Sequence, residues 1–517
     1  MAHSSAIDAP RLATALPANR GRPIPLWVAN AAGVLLVAAL TTWFLGYWFG
    51  DLFPLIEYSS WTSTPAPAIW PVLRRMLLHP GLFNRHFSLL CCQYIWKLSG
   101  GDIDIANWVQ LAFLAISAAG IFLWVRRLLP EPRYWVCALL AGLAAGCTLP
   151  AIDAASWQAT NHDKLAVLLT VAAFHLALGS FRREFSLGSV LRANLLVTPA
   201  AFLAYNSKEA AWCLAPSLFL LAAAIQAGGA RELFHVRPWL RAFVLTALPL
   251  AYAVWQHAHW LSAVMATANG ADQAHVFGGN ALVNLRIFLL SFCNFFQFSG
   301  PHIYIPLALT AISVLGLALW RSLRRSNTEV LVPLAGLLGA LAIPLFTYYG
   351  SYFYLLVPSF YFWWLTAVCL AELLRPRAPA IPAAAFGLAL AALLASPLSG
   401  FGLYRHKTEC ARNFRAALPT IAAAHPKEHT GPLCIAYPRH LFFAYQIIGD
   451  TGNRFLARFL FPDEHNPQVL ATFDAAIINV PYDSAPPTEM STGTLVILDG
   501  EMRLRDIRTA VPALPRD

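Results

Sequence analysis

A few charged residues sit at the ends of long apolar runs, and their types suggest chemistry on an anion. Asp51 follows about 24 apolar residues, and Glu57 comes soon after it. Arg85 lies in Phe83-Asn84-Arg85-His86-Phe87, and Asn161-His162-Asp163-Lys164 opens another apolar run. Asn206-Ser207-Lys208-Glu209 fills a short turn between two more. A carboxylate at the end of a membrane-length run has water on one side and hydrocarbon on the other. That suits a group that meets one soluble and one lipid-borne reactant. A Lys beside a Glu in a tight turn suits a phosphate, with the carboxylate orienting the ammonium. Each has a plainer reading: Asp51 as a helix-ending residue, Lys208 and Glu209 as an interfacial pair reaching for water. His162 by itself reads more simply as a helix-start residue than as a metal ligand. His257, His259, His275 and His302 match no strong ligand spacing.

The scaffold that must position these groups is read from composition. The chain has 517 residues, 58% hydrophobic and 12% charged, with a mean hydropathy of +0.55. Soluble domains carry about 25% charged residues, so this is an integral membrane protein. Its runs are continuously apolar rather than alternating, which indicates helices and not a barrel. The net charge of +10 does not imply nucleic acid, because the Arg residues cluster in short loops between runs. Spans are predicted near 27–48, 105–125, 134–151, 163–181, 188–206, 209–228, 240–259, 302–320, 328–347, 352–373 and 378–398. Alternate loops hold Arg126, Arg127 and Arg133; Arg182, Arg183 and Arg192; Arg231, Arg237 and Arg241; Arg321, Arg324 and Arg325; and Arg375 and Arg377. The opposite loops around 151–162, 259–280 and 348–351 hold no Lys or Arg. By the positive-inside rule this favours eleven spans, with 281–298 lying on the outer face.

The expected domains are therefore a cytoplasmic segment 1–26, a transmembrane module 27–400 and an outer α/β domain 401–517. Within the module, 49–104 is the first outer loop and 260–301 an outer loop with an interfacial helix. In the tail, Gly431–Pro438, Ala475–Val480 and Thr494–Asp499 read as short buried strands and Arg439–Ile448 as a helix between them. Cys410 and Cys434 are its two candidates for a disulfide in an oxidising compartment. The tail shows no catalytic motif. It is expected over the outer mouth of the bundle, with Tyr437, Arg439, His440 and Tyr445 as glycan contacts or, equally, as part of a stability module.

In order and sidedness these motifs resemble the GT-C superfamily of polytopic glycosyltransferases that use polyprenyl-phosphate sugars. They are similar to its protein mannosyltransferase and lipid A aminoarabinose transferase branches. The resemblance rests on Asp51 opening a long outer loop, on Asn84-Arg85-His86 leading to Ala106-Asn107, and on Trp157…Asn161-His162-Asp163-Lys164-Leu165. Ser207-Lys208-Glu209 and the aromatic Tyr352–Leu374 with Pro358 complete it. The family commonly has two adjacent acids where this chain has Asp51-Leu52, and a Pro where it has His86.

The resemblance implies a hexosyl- or pentosyltransferase, inverting at the anomeric carbon, on the outer face of a bacterial inner membrane. Asp51 would be the base, with Glu57 in place of the second acid. Arg85, Lys208, Glu209, His162, Asp163 and Lys164 would bind substrate. The implied partners are a polyprenyl-phosphate-linked sugar, a lipid, glycan or protein acceptor, and membrane lipids. No cofactor is certain, a divalent metal is left open, and no nucleic acid is implied. Two alternatives stand: a lipid-linked oligosaccharide flippase or transporter, which needs a polar path that the apolar span interiors do not offer, and an O-antigen-type polymerase or ligase, which calls for more outer Arg than Arg74, Arg75 and Arg85.

Overall fold

The structure, a computed structural model, describes residues 25–49, 68–78, 85–100, 103–156, 161–229, 231–266, 328–346, 355–374 and 405–428, with short stretches between 281 and 322 and most of 431–509. Long apolar runs form helices because a chain in hydrocarbon must bond its backbone to itself. The helices include α1 (Leu26–Phe49), α2 (Ile69–Leu78), α3 (His86–Leu98), α4 (Ile103–Leu128), α5 (Trp135–Cys147), α6 (Leu149–Ser156) and α7 (Asn161–Phe181). After them come α8 (Leu187–Tyr205), α9 (Leu214–Ala227), α10 (Val236–Leu245), α11 (Ala247–Ala266), α12 (Thr328–Phe346) and α13 (Leu356–Leu373). Among the described residues six helices are long and apolar enough to cross a membrane, or seven if the bent pair α10–α11 is one span. The chain is a multi-pass helical membrane protein with a small α/β tail. The predicted spans at 302–320 and 378–398, and the segment 281–298, fall mostly outside the described residues.

Two predicted spans take a different form. The run 134–151 is two helices: Pro150 has no N–H to return to Gly146, and the chain steps out at Thr148 (φ −88°, ψ 169°). The run 240–259 is entered by α10 and turned through 75° into α11. Pro249 removes a helical bond there, and Asn194 of α8 satisfies groups that the bend releases. Its Nδ2 donates to the Val244 carbonyl at 3.0 Å, and its Oδ1 accepts from the Leu248 N–H at 3.0 Å. The segment 49–104, expected as an outer loop, also holds α2 and α3, which its Trp and Pro content did not suggest.

The bundle core gathers on α13. Trp364 meets Trp124 of α4 edge-on with ring centroids 5.1 Å apart, and Phe360 meets Phe174 of α7 at 5.4 Å. Tyr361, fully buried between them, presses against α12 at Gly336, where an added Cβ would clash with its ring edge.

The tail opens with a helix at 405–424 (α14). Its sheet comprises β1 (Leu433–Pro438), β2 (Ile477–Tyr482), β3 (Thr494–Leu498) and β4 (Leu504–Thr509). The order is β2-β1-β3-β4, with β1 parallel to β2 and β3, and β4 antiparallel to β3. Three strands lie where the apolar runs placed them; β4 is additional, and the helix predicted over Arg439–Ile448 is only Ala444–Ile448. Cys410 and Cys434 are not joined, because the sheet separates them. Cys434 packs with Ala436, Leu495 and Ile497 on one face. Leu433, Ile435 and Tyr437 point the other way, into the core that holds Cys410 and Phe414. Tyr437 is buried there, so it is no glycan contact. That core is continuous with the core of the bundle.

Lys407 of α14 is only 2% exposed. Burial pulls its ammonium down to about 8, and the charge of Asp153 on α6 resists the shift. The tail thus joins the bundle at the end where α7 begins.

Two outcomes follow. Gly336→Ala should cost about 1–3 kcal/mol by overpacking, read as a lower thermal midpoint of the purified protein. Lys407 titrates near 8 folded against 10.5 unfolded, so between those values the unfolded chain binds more protons and stability rises with pH. Thermal unfolding from pH 7 to about 10.5 should show that rise, and Lys407→Met should flatten it.

Candidate functional site

Three chain entries meet at one end of the bundle: the start of α3, the start of α7, and the turn from α8 to α9. A backbone bond sets the first against the third, with Phe87 N–H donating to the Asn206 carbonyl at 3.1 Å. The turn is closed by Lys208 N–H on the Ala204 carbonyl at 3.2 Å and continues as one tight helical turn, Glu209–Cys213. The Asn206 side chain donates to the Tyr252 hydroxyl at 2.8 Å, and that hydroxyl donates to the Met76 carbonyl of α2 at 2.9 Å. The turn is therefore held from α11 and α2 as well as from α3.

The charged side chains form an alternating series. Arg85 grips Glu209 with two nitrogens, Nε to Oε1 at 3.2 Å and Nη2 to Oε2 at 3.4 Å. Lys208 Nζ stands 3.9 Å from Glu209 Oε2 and 3.6 Å from Asp163 Oδ2. His162 Nε2 lies 3.4 Å from Arg85 Nη1 and 3.5 Å from Asp163 Oδ2. Asp163 is fully buried and Lys208 nearly so, whereas the Arg85 side chain is 23% exposed. Burial, aided by the Arg85 charge, lowers the Lys208 ammonium, while Asp163 and Glu209 pull it back up. Charges this deep are tolerated only when neighbours compensate them.

Arg85, His162, Asp163, Lys208 and Glu209 are thus brought together. Lys164, one step along α7, is buried and sends its Nζ to Gln110 Oε1 at 3.1 Å. Glu209 was expected to hold Lys208; its shorter contacts are to Arg85, and Asp163 is the nearer carboxylate to Lys208. Asp51 and Glu57 lie outside the described residues, and Arg74 and Arg75 are exposed on α2. Sequence reasoning missed Gln110 and Tyr252. Gln110 carries a signal, an amide inside an apolar run; Tyr252 resembles any interfacial aromatic. Among the described residues no three His, Cys, Asp or Glu side chains are grouped to hold a metal ion.

No family model matches the chain, and no curated protein matches it. Solved structures are similar to it. The Archaeoglobus fulgidus oligosaccharyltransferase, tethered with an acceptor peptide by a disulfide bond, aligns at 13% identity and a TM-score of 0.43. The alignment covers 82% of this chain and 63% of that one; this chain spans less than two thirds of the oligosaccharyltransferase. ArnT from Cupriavidus metallidurans in the apo state aligns at 11% identity and a TM-score of 0.44, covering 90% of this chain and 93% of that one.

Removing one partner of a buried pair strands the other. Glu209→Gln should lower the thermal midpoint, and Arg85→Gln with Glu209→Gln should be less damaging than the sum of the single changes. A double-mutant cycle is expected to give a coupling of about 0.5–3 kcal/mol; additivity would mean that the two side chains do not interact.

Proposed function

We propose that the chain is a glycosyltransferase of the outer face of a bacterial inner membrane. It takes a sugar from a polyprenyl phosphate and passes it to a lipid, glycan or protein acceptor. One observation carries this reading: a buried series of cations and carboxylates sits at one end of an otherwise apolar bundle. There Arg85 and Lys208 stand against Asp163 and Glu209. A lipid-borne phosphate reaches such an end from the hydrocarbon side. Arg126, Arg127, Arg182, Arg183, Arg237 and Arg241 lie at the other end, where Arg182 Nη2 donates to the Arg127 carbonyl at 3.2 Å. That asymmetry supports a cytoplasmic Arg-rich end and an outer site.

In the proposed step the Asp51 carboxylate takes the proton of an acceptor hydroxyl. The hydroxyl oxygen then bonds to the anomeric carbon from the face opposite the carrier. The bond from that carbon to the phosphate oxygen breaks, its electron pair leaves with the phosphate, and the configuration inverts. Arg85 and Lys208 stabilise the departing charge. Glu209 and Asp163 hold the two cations, and Glu57 stands as the second acid of the outer loop. His162 and Lys164 border the same substrate site.

Lys208→Ala or Arg85→Ala should weaken donor use by roughly 10- to 150-fold, the worth of a charge-assisted contact. Asp51→Asn, made at normal levels, should lose transfer altogether. The assay follows a radiolabelled sugar from polyprenyl phosphate to acceptor in membranes, and full activity in Asp51→Asn would remove the base assignment.

A further inference from the structure

The opposite end of the bundle has a construction of its own. On α10, Val236, Leu240, Phe243 and Val244 point outward, with Val236 69% and Leu240 61% exposed, while Pro238, Ala242 and Leu245 face inward. The 75° bend into α11, fixed by Asn194, turns α10 away from the direction of the span. An outward apolar row of this kind fits hydrocarbon better than water.

Beside that row stand Arg237 and Arg241, one helical turn apart. They line a cavity of about 550 Å³ together with Gln226, Glu232 and His235. Glu232 lies 3.9 Å from His235 Nε2, and the Arg241 guanidinium carbon is 5.3 Å from the centre of the Phe185 ring. The wall is braced by Trp239, which donates from Nε1 to the Leu233 carbonyl at 2.7 Å and packs on Phe219 of α9. Gln226 Nε2 donates to the Phe181 carbonyl at 2.9 Å, so the cavity adjoins the end of α7.

We infer that this cavity seats the headgroup of an anionic glycerophospholipid, at the membrane face opposite the transfer site. Two guanidiniums against one carboxylate select a phosphate without a compensating choline. The apolar row at their side requires that the phosphate carry acyl chains. Free phosphate would have no use for Val236, Leu240 and Phe243. The occupant docks α10 to the bilayer and so sets the position of α11, which carries Tyr252 to the turn of Lys208 and Glu209.

Native mass spectrometry of the purified full-length protein, mixed with phosphatidylglycerol or phosphatidylcholine, tests this. One phosphatidylglycerol should be retained at concentrations where phosphatidylcholine is not. R237Q/R241Q should weaken that retention about 10- to 30-fold, R237K/R241K should keep most of it, and raised salt should weaken it in the unaltered protein. Glycerol 3-phosphate, which has the headgroup phosphate without the chains, should not compete. Equal retention of both lipids, salt-independent retention, or competition by glycerol 3-phosphate at lipid concentrations would each overturn the inference. The salt and competition arms need no variant, so a poorly folding double variant leaves the test decisive.

Discussion

A guanidinium and a carboxylate far apart in the chain hold this protein's site together. Asp163, without access to water, requires a cation, and Lys208 supplies it. Lys208, itself buried, is shared with Glu209, and Glu209 is clasped by Arg85 through two nitrogens. Compensation therefore runs outward from Asp163 and ends at Arg85, the member of this series that reaches solvent. Two cations and two carboxylates balance along the series, and its solvent-reaching end is a guanidinium.

That series is only as well placed as the helices beneath it. The aromatic contacts of α13 with α4 and α7 leave little slack, and the close approach at Gly336 keeps α12 against α13. Positioning of this kind matters because small misplacements of charged groups are costly in transfer reactions. At the turn between α8 and α9 a backbone bond from α3 and the Asn206–Tyr252–Met76 chain do the same locally. The rigid middle and the braced end serve one purpose, to hold cations still where hydrocarbon stops.

Much of this was legible in the sequence, for physical reasons. Apolar runs of bilayer length have few alternatives to a helix, so α1, α4, α7, α8 and α13 fell where hydropathy put them. β1 and β3, buried on both faces, also showed themselves as apolar runs. Lys208 and Glu209 stood out because they fill a very short turn between two apolar runs. The bend between α10 and α11 was not legible, since the Asn194 that sustains it lies on another helix. The choice of Glu209 by Arg85 was hidden likewise, because partners so distant in sequence leave no periodicity. β4, Leu504–Thr509, has only Leu504 and Ile507 apolar among three charged residues, and it reads as a loop. The Cys410 and Cys434 pairing failed on geometry: composition brings two thiols into one domain, but the two-residue alternation of a strand turns one of them to the wrong face.

The separation of Arg85 from Glu209 by 124 positions has a consequence for how the protein is made. A ribosome adds about 5–20 residues each second, so the carboxylate follows the guanidinium by about 6–25 seconds. Asp163 and His162 are made partway through that interval, 45 and 46 positions before Lys208. Asp163 is made after Arg85 and beside Lys164, and the α8–α9 turn that brings Lys208 and Glu209 is the last of the three chain entries to be synthesised. The site can therefore close only once that turn is in place.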